Sequence, residues 1–175
     1  MTRAMSDLGF NMMSWIFKLR DLVSPREEIL KEAGIEPGTR LLDYGCGPGG
    51  YVTAAVELVD RSGQVYALDI HPLAVRRVQE LARKKQLTNV ETICSDCQTG
   101  LPDDSVDVVL LYDVFHVLDE PQAVLAELHR VLKKGGTLSF SDHHLNESEI
   151  IAGVTSGQLF RLAKKYEHTH QFERL

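Results

Sequence analysis

The 175-residue sequence predicts an α/β domain: a doubly wound, mostly parallel sheet with an antiparallel last strand and helices on both faces. Three observations carry this. Short apolar runs alternate with segments whose apolar residues recur at helical spacing. One run, 106–112 (VDVVLLY), is apolar almost throughout, as befits a strand covered by helices on both sides. A third run ends in Asp43-Tyr44-Gly45-Cys46-Gly47-Pro48-Gly49-Gly50 and is followed by a helical pattern, which gives strand, glycine turn and helix.

Residues 1–24 are expected as an N-terminal helical lid segment ahead of a core over 25–175, the whole being one domain. Within it, Leu8, Met12, Trp15, Ile16, Leu19 and Val23 fall at helical spacing. Phe10, Met13, Phe17 and Leu22 make 8–23 apolar nearly all round, so it reads as a buried helix or as a lid over a pocket. Ser24-Pro25-Arg26-Glu27 is a capping box with proline at the first helical position, and Gly34 stops that helix. Pro37-Gly38 turns the chain into a first strand over 39–44. The glycine loop follows, with a helix over 51–59.

The second strand is 64–70 (QVYALDI), and Pro72 opens a helix to about Gln86. Ala74, Val75, Val78, Leu81 and Ala82 form its inner face, and Arg76, Arg77, Arg83, Lys84 and Lys85 a solvated outer one. Strands are predicted at 90–95, 106–112 and 137–141. Between the last two, Asp119 is expected to cap a helix over 120–133 that Gly135-Gly136 ends. A short helix over 147–154 precedes two strands, 159–167 and 171–175, whose tight link makes them antiparallel neighbours.

Composition narrows the function. A formal charge of −6 opposes nucleic-acid binding as the main activity. No apolar run approaches the ~20 residues of a membrane span, so a cytoplasmic protein is expected. Cys46, Cys94 and Cys97 are an odd number with no disulfide framework, and Cys94-Ser-Asp-Cys97 lacks the second pair of a zinc site. His143-His144 gives no metal site if it lies on a strand, where neighbours point to opposite faces. No metal is therefore expected.

In doubly wound sheets ligands bind at the carboxyl ends of the strands. Those ends here read Asp43, Asp69, Asp96, Asp113 and Asp142, an acidic rim that suits a cationic ligand. The loop string satisfies both the dinucleotide G-x-G-x-x-G (Gly45, Gly47, Gly50) and an acidic-x-G-x-G-x-G (Asp43, Gly45, Gly47, Gly49). Electrostatics favours the second. A carboxylate ~4 Å from a pyrophosphate charge costs roughly 4 kcal/mol at an effective dielectric of 20, and Pro48 removes an N–H that would cradle phosphate. Asp69 stands 19 residues past Gly50, which fits a ribose contact in either case.

The stretches LLDYGCGPGG, VYALDIHP, CSDCQTGLPDDSVDVVLLYDVFHVLDEP and ELHRVLKKGGTLSFSD together resemble class I S-adenosylmethionine (SAM) methyltransferases with their Rossmann-like fold. The similarity is strongest to the small-molecule group that includes ubiquinone and menaquinone biosynthesis enzymes. It implies that Asp43, Gly45, Cys46 and Gly47 face the methionine end of SAM. It implies that Asp69 takes the ribose hydroxyls, that Ile70 packs on adenine, and that Asp96 with the Cys97 N–H reads the adenine edge. Asp113, Val114 and His116 would approach the methionine end and the acceptor. Lys134 departs from the proline common at its position.

The implied activity is methyl transfer to a small-molecule acceptor, releasing S-adenosylhomocysteine. An acceptor that must lose a proton needs a base. His116 is the first candidate, with Asp113, Tyr112, His143 and His144 behind it. Competing readings are an NAD-dependent oxidoreductase and a non-catalytic SAM-binding subunit that activates a partner.

Overall fold

The computed structural model describes residues 26–175, so the 8–23 segment and the residues that would cap the first helix lie outside it. The elements are α1 (Arg26–Glu32), β1 (Arg40–Tyr44), α2 (Val52–Val59), β2 (Gln64–Asp69), α3 (Pro72–Lys85), β3 (Val90–Cys94) and β4 (Val106–Tyr112). A 3-10 turn (Phe115–Val117), α4 (Pro121–Val131), β5 (Leu132–Ser141), α5 (Glu147–Thr155), β6 (Phe160–Lys165) and β7 (His170–Arg174) follow.

The seven strands form one sheet in the order β3-β2-β1-β4-β5-β7-β6. The four pairings among β1–β5 are parallel, and β7 runs antiparallel between β5 and β6. Strand order reverses between β1 and β4. That crevice is where such sheets bind ligands.

Side-chain alternation divides the core. Leu42, Tyr44, Val109, Leu111, Leu138 and Phe140 face α4 and α5, packing on Leu125, Leu128, Ile150 and Val154. Their neighbours Leu41, Val65, Val108 and Leu110 face α1 and α2 through Leu30, Ala33, Ala55 and Val59. The doubly covered sheet explains why β4 alternates in direction but not in polarity. At the edge strand β3 no residue is fully buried.

Two boundaries depart most from the sequence reading. Helix α4 begins at Pro121, and Glu120 rather than Asp119 holds the N-cap position, without a side-chain cap. Proline's preset backbone starts the helix on its own. Strand β5 begins at Leu132, not Thr137, because Leu132 pairs with Val106 before Lys133–Gly136 bulge out and pairing resumes at Val108 and Thr137. The bulge turns Lys133 Nζ back to Asp107 Oδ1 at 2.6 Å. Helix α5 carries a full capping box: Asn146 accepts from Glu149 N, and Glu149 from Asn146 N.

The loop after β3 is pinned to α4 by Glu127. Its carboxylate accepts from Thr99 N (2.8 Å), Thr99 Oγ1 (2.7 Å), and Arg130 Nε and Nη2 (2.8 and 2.7 Å). The Arg130 bonds, ahead of the Thr99 ones, hold its pKa down at about 2. The stability it supplies is full above the ordinary glutamate range and is lost as pH falls towards 2. Replacing Glu127 with Gln should destabilise by about 1–3 kcal/mol at pH 7, since it breaks a charged, bidentate, mostly enclosed pair. A urea midpoint unchanged in the variant would contradict this.

Candidate active site

The glycine loop leaves β1 at the reversal point. Gly45, Gly47 and Gly49 all lie in the left-handed region, with φ of 83°, 52° and 85°, whereas Gly50 does not. The backbone therefore needs glycine at the positions of the acidic-x-G-x-G-x-G reading, not at the last glycine of the dinucleotide string. The N–H groups of the turn are not left free. Instead Gly45 and Cys46 donate to Leu68 O, Gly47 to Asp69 Oδ2, and Gly49 to Cys46 O. The loop is tied to the end of β2, and with Pro48 it has few donors left for a phosphate. Cys46 itself is buried beside Val52, Ala67 and Val78, so it reaches a ligand through its backbone alone.

Asp43 is 3% exposed, and its Oδ2 has no hydrogen-bond partner among the described residues. Burial, then the neighbouring Asp69 charge, raises its carboxyl to about 7, against a smaller opposing pull from Arg26. Asp69 accepts from Gly47 N at 2.9 Å and His71 N at 2.7 Å. Burial raises it as well, despite those bonds. Each oxygen keeps a lone pair for a further donor. Ile70 is half-buried beside it, and Asp96 stands exposed past β3. The Cys97 N–H meets Ser95 Oγ at only 3.4 Å.

Two histidine–aspartate pairs stand at the ends of β4 and β5. Asp113, at φ 54°, accepts from His143 Nδ1 at 2.6 Å and from His143 N at 3.0 Å. Asp142 is buried and accepts from His116 Nδ1 at 2.9 Å, His116 N at 3.2 Å and His144 N at 3.0 Å. His143 and His144 lie beyond the end of β5, in a turn, so the strand argument against a shared ligand role does not apply to them. Asp142 thus belongs to a histidine cluster rather than to an open acidic rim.

A cavity of about 300 Å³ opens beside these pairs, lined in part by Tyr51, Tyr112, Asp113, Asp142, His143 and His170. His143 and Asp113 line it; His116 and His144 do not. Tyr112 is a poor base, because its hydroxyl is buried against Ser139 Oγ at 2.7 Å and burial pushes its pKa far up, keeping it protonated. His170 was not singled out in the sequence. Its Nε2 is buried with no partner among the described residues, and desolvation lowers its proton affinity. A histidine in an ordinary strand pattern carries no signal of this. A larger hollow of about 530 Å³ lies at the opposite end of the sheet, between Gly34–Thr39 and Lys133–Thr137. None of the candidate residues reaches it.

Residues 35–172 match the family model described as a methyltransferase domain. The chain is 29% identical over 128 residues to the demethylmenaquinone methyltransferase of Geobacillus kaustophilus, covering 73% of this chain and 55% of that protein. With the enzyme of that name from Listeria welshimeri it shares 28% over 135 residues, covering 77% and 57%. The chain thus spans little more than half the length of these relatives. A crystal structure of a SAM-dependent methyltransferase from Aquifex aeolicus superposes with a TM-score of 0.83 at 28% identity, over 93% of this chain and 98% of that one. The match runs through the glycine loop, the aspartates and both histidine pairs, and the chain belongs to the methyltransferase-domain family.

Proposed function

We propose that the protein transfers a methyl group from SAM to a small-molecule acceptor bound in the 300 Å³ cavity. The observation that carries this is the buried, half-unpaired carboxylate of Asp43 in a loop whose N–H groups are already engaged. That combination suits a ligand with positive charge and no phosphate. SAM, when bound, supplies a methyl group already activated on a sulfonium, together with an ammonium. The dinucleotide alternative would set a pyrophosphate against Asp43 and Asp69 with few donors to receive it.

The remaining residues have roles that fit. Asp43 holds the cationic end, Asp69 the ribose hydroxyls, Ile70 an adenine face, and Asp96 with the Cys97 N–H the adenine edge. Asp113 fixes the His143 ring through Nδ1, which leaves Nε2 to accept a proton from the acceptor. His143 takes the base role first expected of His116, because it is the one on the cavity wall. The family's chemistry otherwise asks the protein for orientation and exclusion of water. Residues 8–23 remain the candidate to close over the cavity. The substrate class in the relatives' name, the net charge of −6 and three free cysteines support a small, non-nucleic-acid acceptor and a reducing, cytoplasmic setting.

Calorimetry should show binding of SAM and S-adenosylhomocysteine and none of NAD. Tighter binding of NAD than of either would overturn the reading. Incubation with SAM and a metabolite extract, read by mass spectrometry for species heavier by one CH₂, would then identify the acceptor.

A further inference from the structure

His116, Asp142 and His144 converge where the turns after β4 and β5 meet; the proposed methyl transfer gives none of them a chemical role, although Asp142 also lines the acceptor cavity. The Asp142 side chain is fully enclosed, while the two histidine side chains are 22% and 64% exposed. Asp142 Oδ2 lies 2.9 Å from His116 Nδ1 and Oδ1 lies 3.5 Å from His144 Nδ1. The imidazoles stack with centroids 3.9 Å apart at 28°. One ligand atom from each residue falls within 4.8 Å of the others. We infer that this cluster is a binding site for one first-row transition-metal dication, with Zn²⁺ the best match to its two imidazoles and one carboxylate.

A dication with ligands at about 2.0–2.2 Å and bond angles between 90° and 109° spaces its ligand atoms roughly 3.0–3.5 Å apart. The two distances to Asp142 bracket that range. His116 Nδ1 sits at an ordinary hydrogen-bond distance from Asp142, whereas His144 Nδ1 stops at 3.5 Å with its ring stacked on that of His116, so a bound ion requires the exposed His144 ring to turn until both Nδ1 lone pairs point at it. The backbone N–H groups of His116 and His144 hold the two carboxylate oxygens in place; Oδ1 keeps a further lone pair, and Oδ2 gains one once His116 Nδ1 turns from donor to ligand. The two rings are partly open to solvent. That leaves room for water or an added ligand in a fourth position, as in reactive rather than closed zinc sites. Reading His143 and His144 as an isolated pair concealed this, since His143 turns away to Asp113 and the second imidazole comes from the neighbouring strand's turn.

The test uses chelator-stripped protein dialysed against Zn²⁺, with metal counted by mass spectrometry, and against Co²⁺, read by its visible spectrum. One ion per chain is expected, together with the intense bands of low-coordinate cobalt. His144→Ala, at an exposed position, should fold normally and bind at least about 100-fold more weakly, as should His116→Ala. His129→Ala, which removes a ring set against the Leu175 carbonyl, should bind like the unaltered protein. Added Zn²⁺ should raise the melting temperature of the unaltered protein and of His129→Ala, but not of His144→Ala. Failure to bind stoichiometric metal overturns the proposal. So does binding that survives in both His116→Ala and His144→Ala, which would assign the ion to other histidines. Either outcome leaves SAM binding untouched, so this proposal and the methyl-transfer reading fail separately.

Discussion

Asp43→Asn is expected to raise the melting temperature at pH 8 while removing most of the affinity for SAM. The native carboxyl sits at about 7 because burial, and then Asp69, disfavour its charge. Between the unfolded value near 4 and 7 the native state holds more protons than the unfolded one. Stability therefore falls as pH rises through that window. Moving a carboxyl from 3.8 to about 7 costs roughly 4 kcal/mol once it is ionised. An amide escapes that penalty, but its own unpaired burial offsets about 1–3 kcal/mol of the gain. A net gain of about 1–3 kcal/mol corresponds to roughly 2–4 °C per kcal/mol for a chain of this size. The same change removes a charged partner for the ligand, about 1.5–3 kcal/mol of binding. At pH 6 the unaltered protein is itself mostly protonated at Asp43, so both differences should shrink. Thermal melts and calorimetry at pH 6 and 8 check this. A variant less stable than the parent at pH 8 would show that Asp43 is better solvated than its enclosure implies.

Gly45→Ala and Gly47→Ala should part company. At Gly45 an added Cβ would lie 2.2 Å from Val114 Cγ2, in a backbone already at φ 83°. The left-handed conformation alone costs about 1–2 kcal/mol. Displacing Val114, which packs against the main core, brings the expected loss to the order of 3–5 kcal/mol. At Gly47 nothing lies within 4 Å of the added atom, so only the conformational cost of about 1 kcal/mol remains. Yet that open space is where the proposed ligand approaches. Gly45→Ala should thus lower the urea midpoint sharply and lose SAM binding with it. Gly47→Ala should melt nearly as the parent does and still bind SAM poorly. Full SAM affinity in Gly47→Ala would place the ligand elsewhere.

Much of this was readable from residues. The apolar run Val106–Tyr112 and the helical spacing around α3 and α4 report burial directly, and burial sets the fold. The alternating glycines fixed the loop because positive φ is a local requirement that few residues meet. The bulge in β5 left no such mark. Lys133–Gly136 reads as a helix stop followed by a turn, and only pairing of Leu132 with Val106 makes the stretch part of a strand. The site shows the same division. Asp43 and Asp69 follow from strand ends, but whether a carboxylate faces solvent or a histidine depends on residues 26 and 30 positions away, as with Asp142–His116 and Asp113–His143. The capture of the loop's N–H groups by Leu68 O is likewise a contact between strands that no motif encodes.

The placement of β7 between β5 and β6 affects how the molecule comes together. Among the described residues strand β6 hydrogen-bonds only to β7, and β5 has β7 as its outer neighbour. The turn before β7 also clamps α1, because Glu32 accepts from Thr169 Oγ1 at 2.9 Å and its carbonyl accepts from Gln171 Nε2 at 2.5 Å. During synthesis, then, one flank of β5 stays bare and α1 lacks its Glu32 clamp until residues 169–174 have cleared the ribosome. A nascent chain stalled before that point presents an open, apolar strand flank, the kind of surface that recruits strands from other molecules. These contacts join residues 137 and 139 positions apart, and long-range contacts are slow to form.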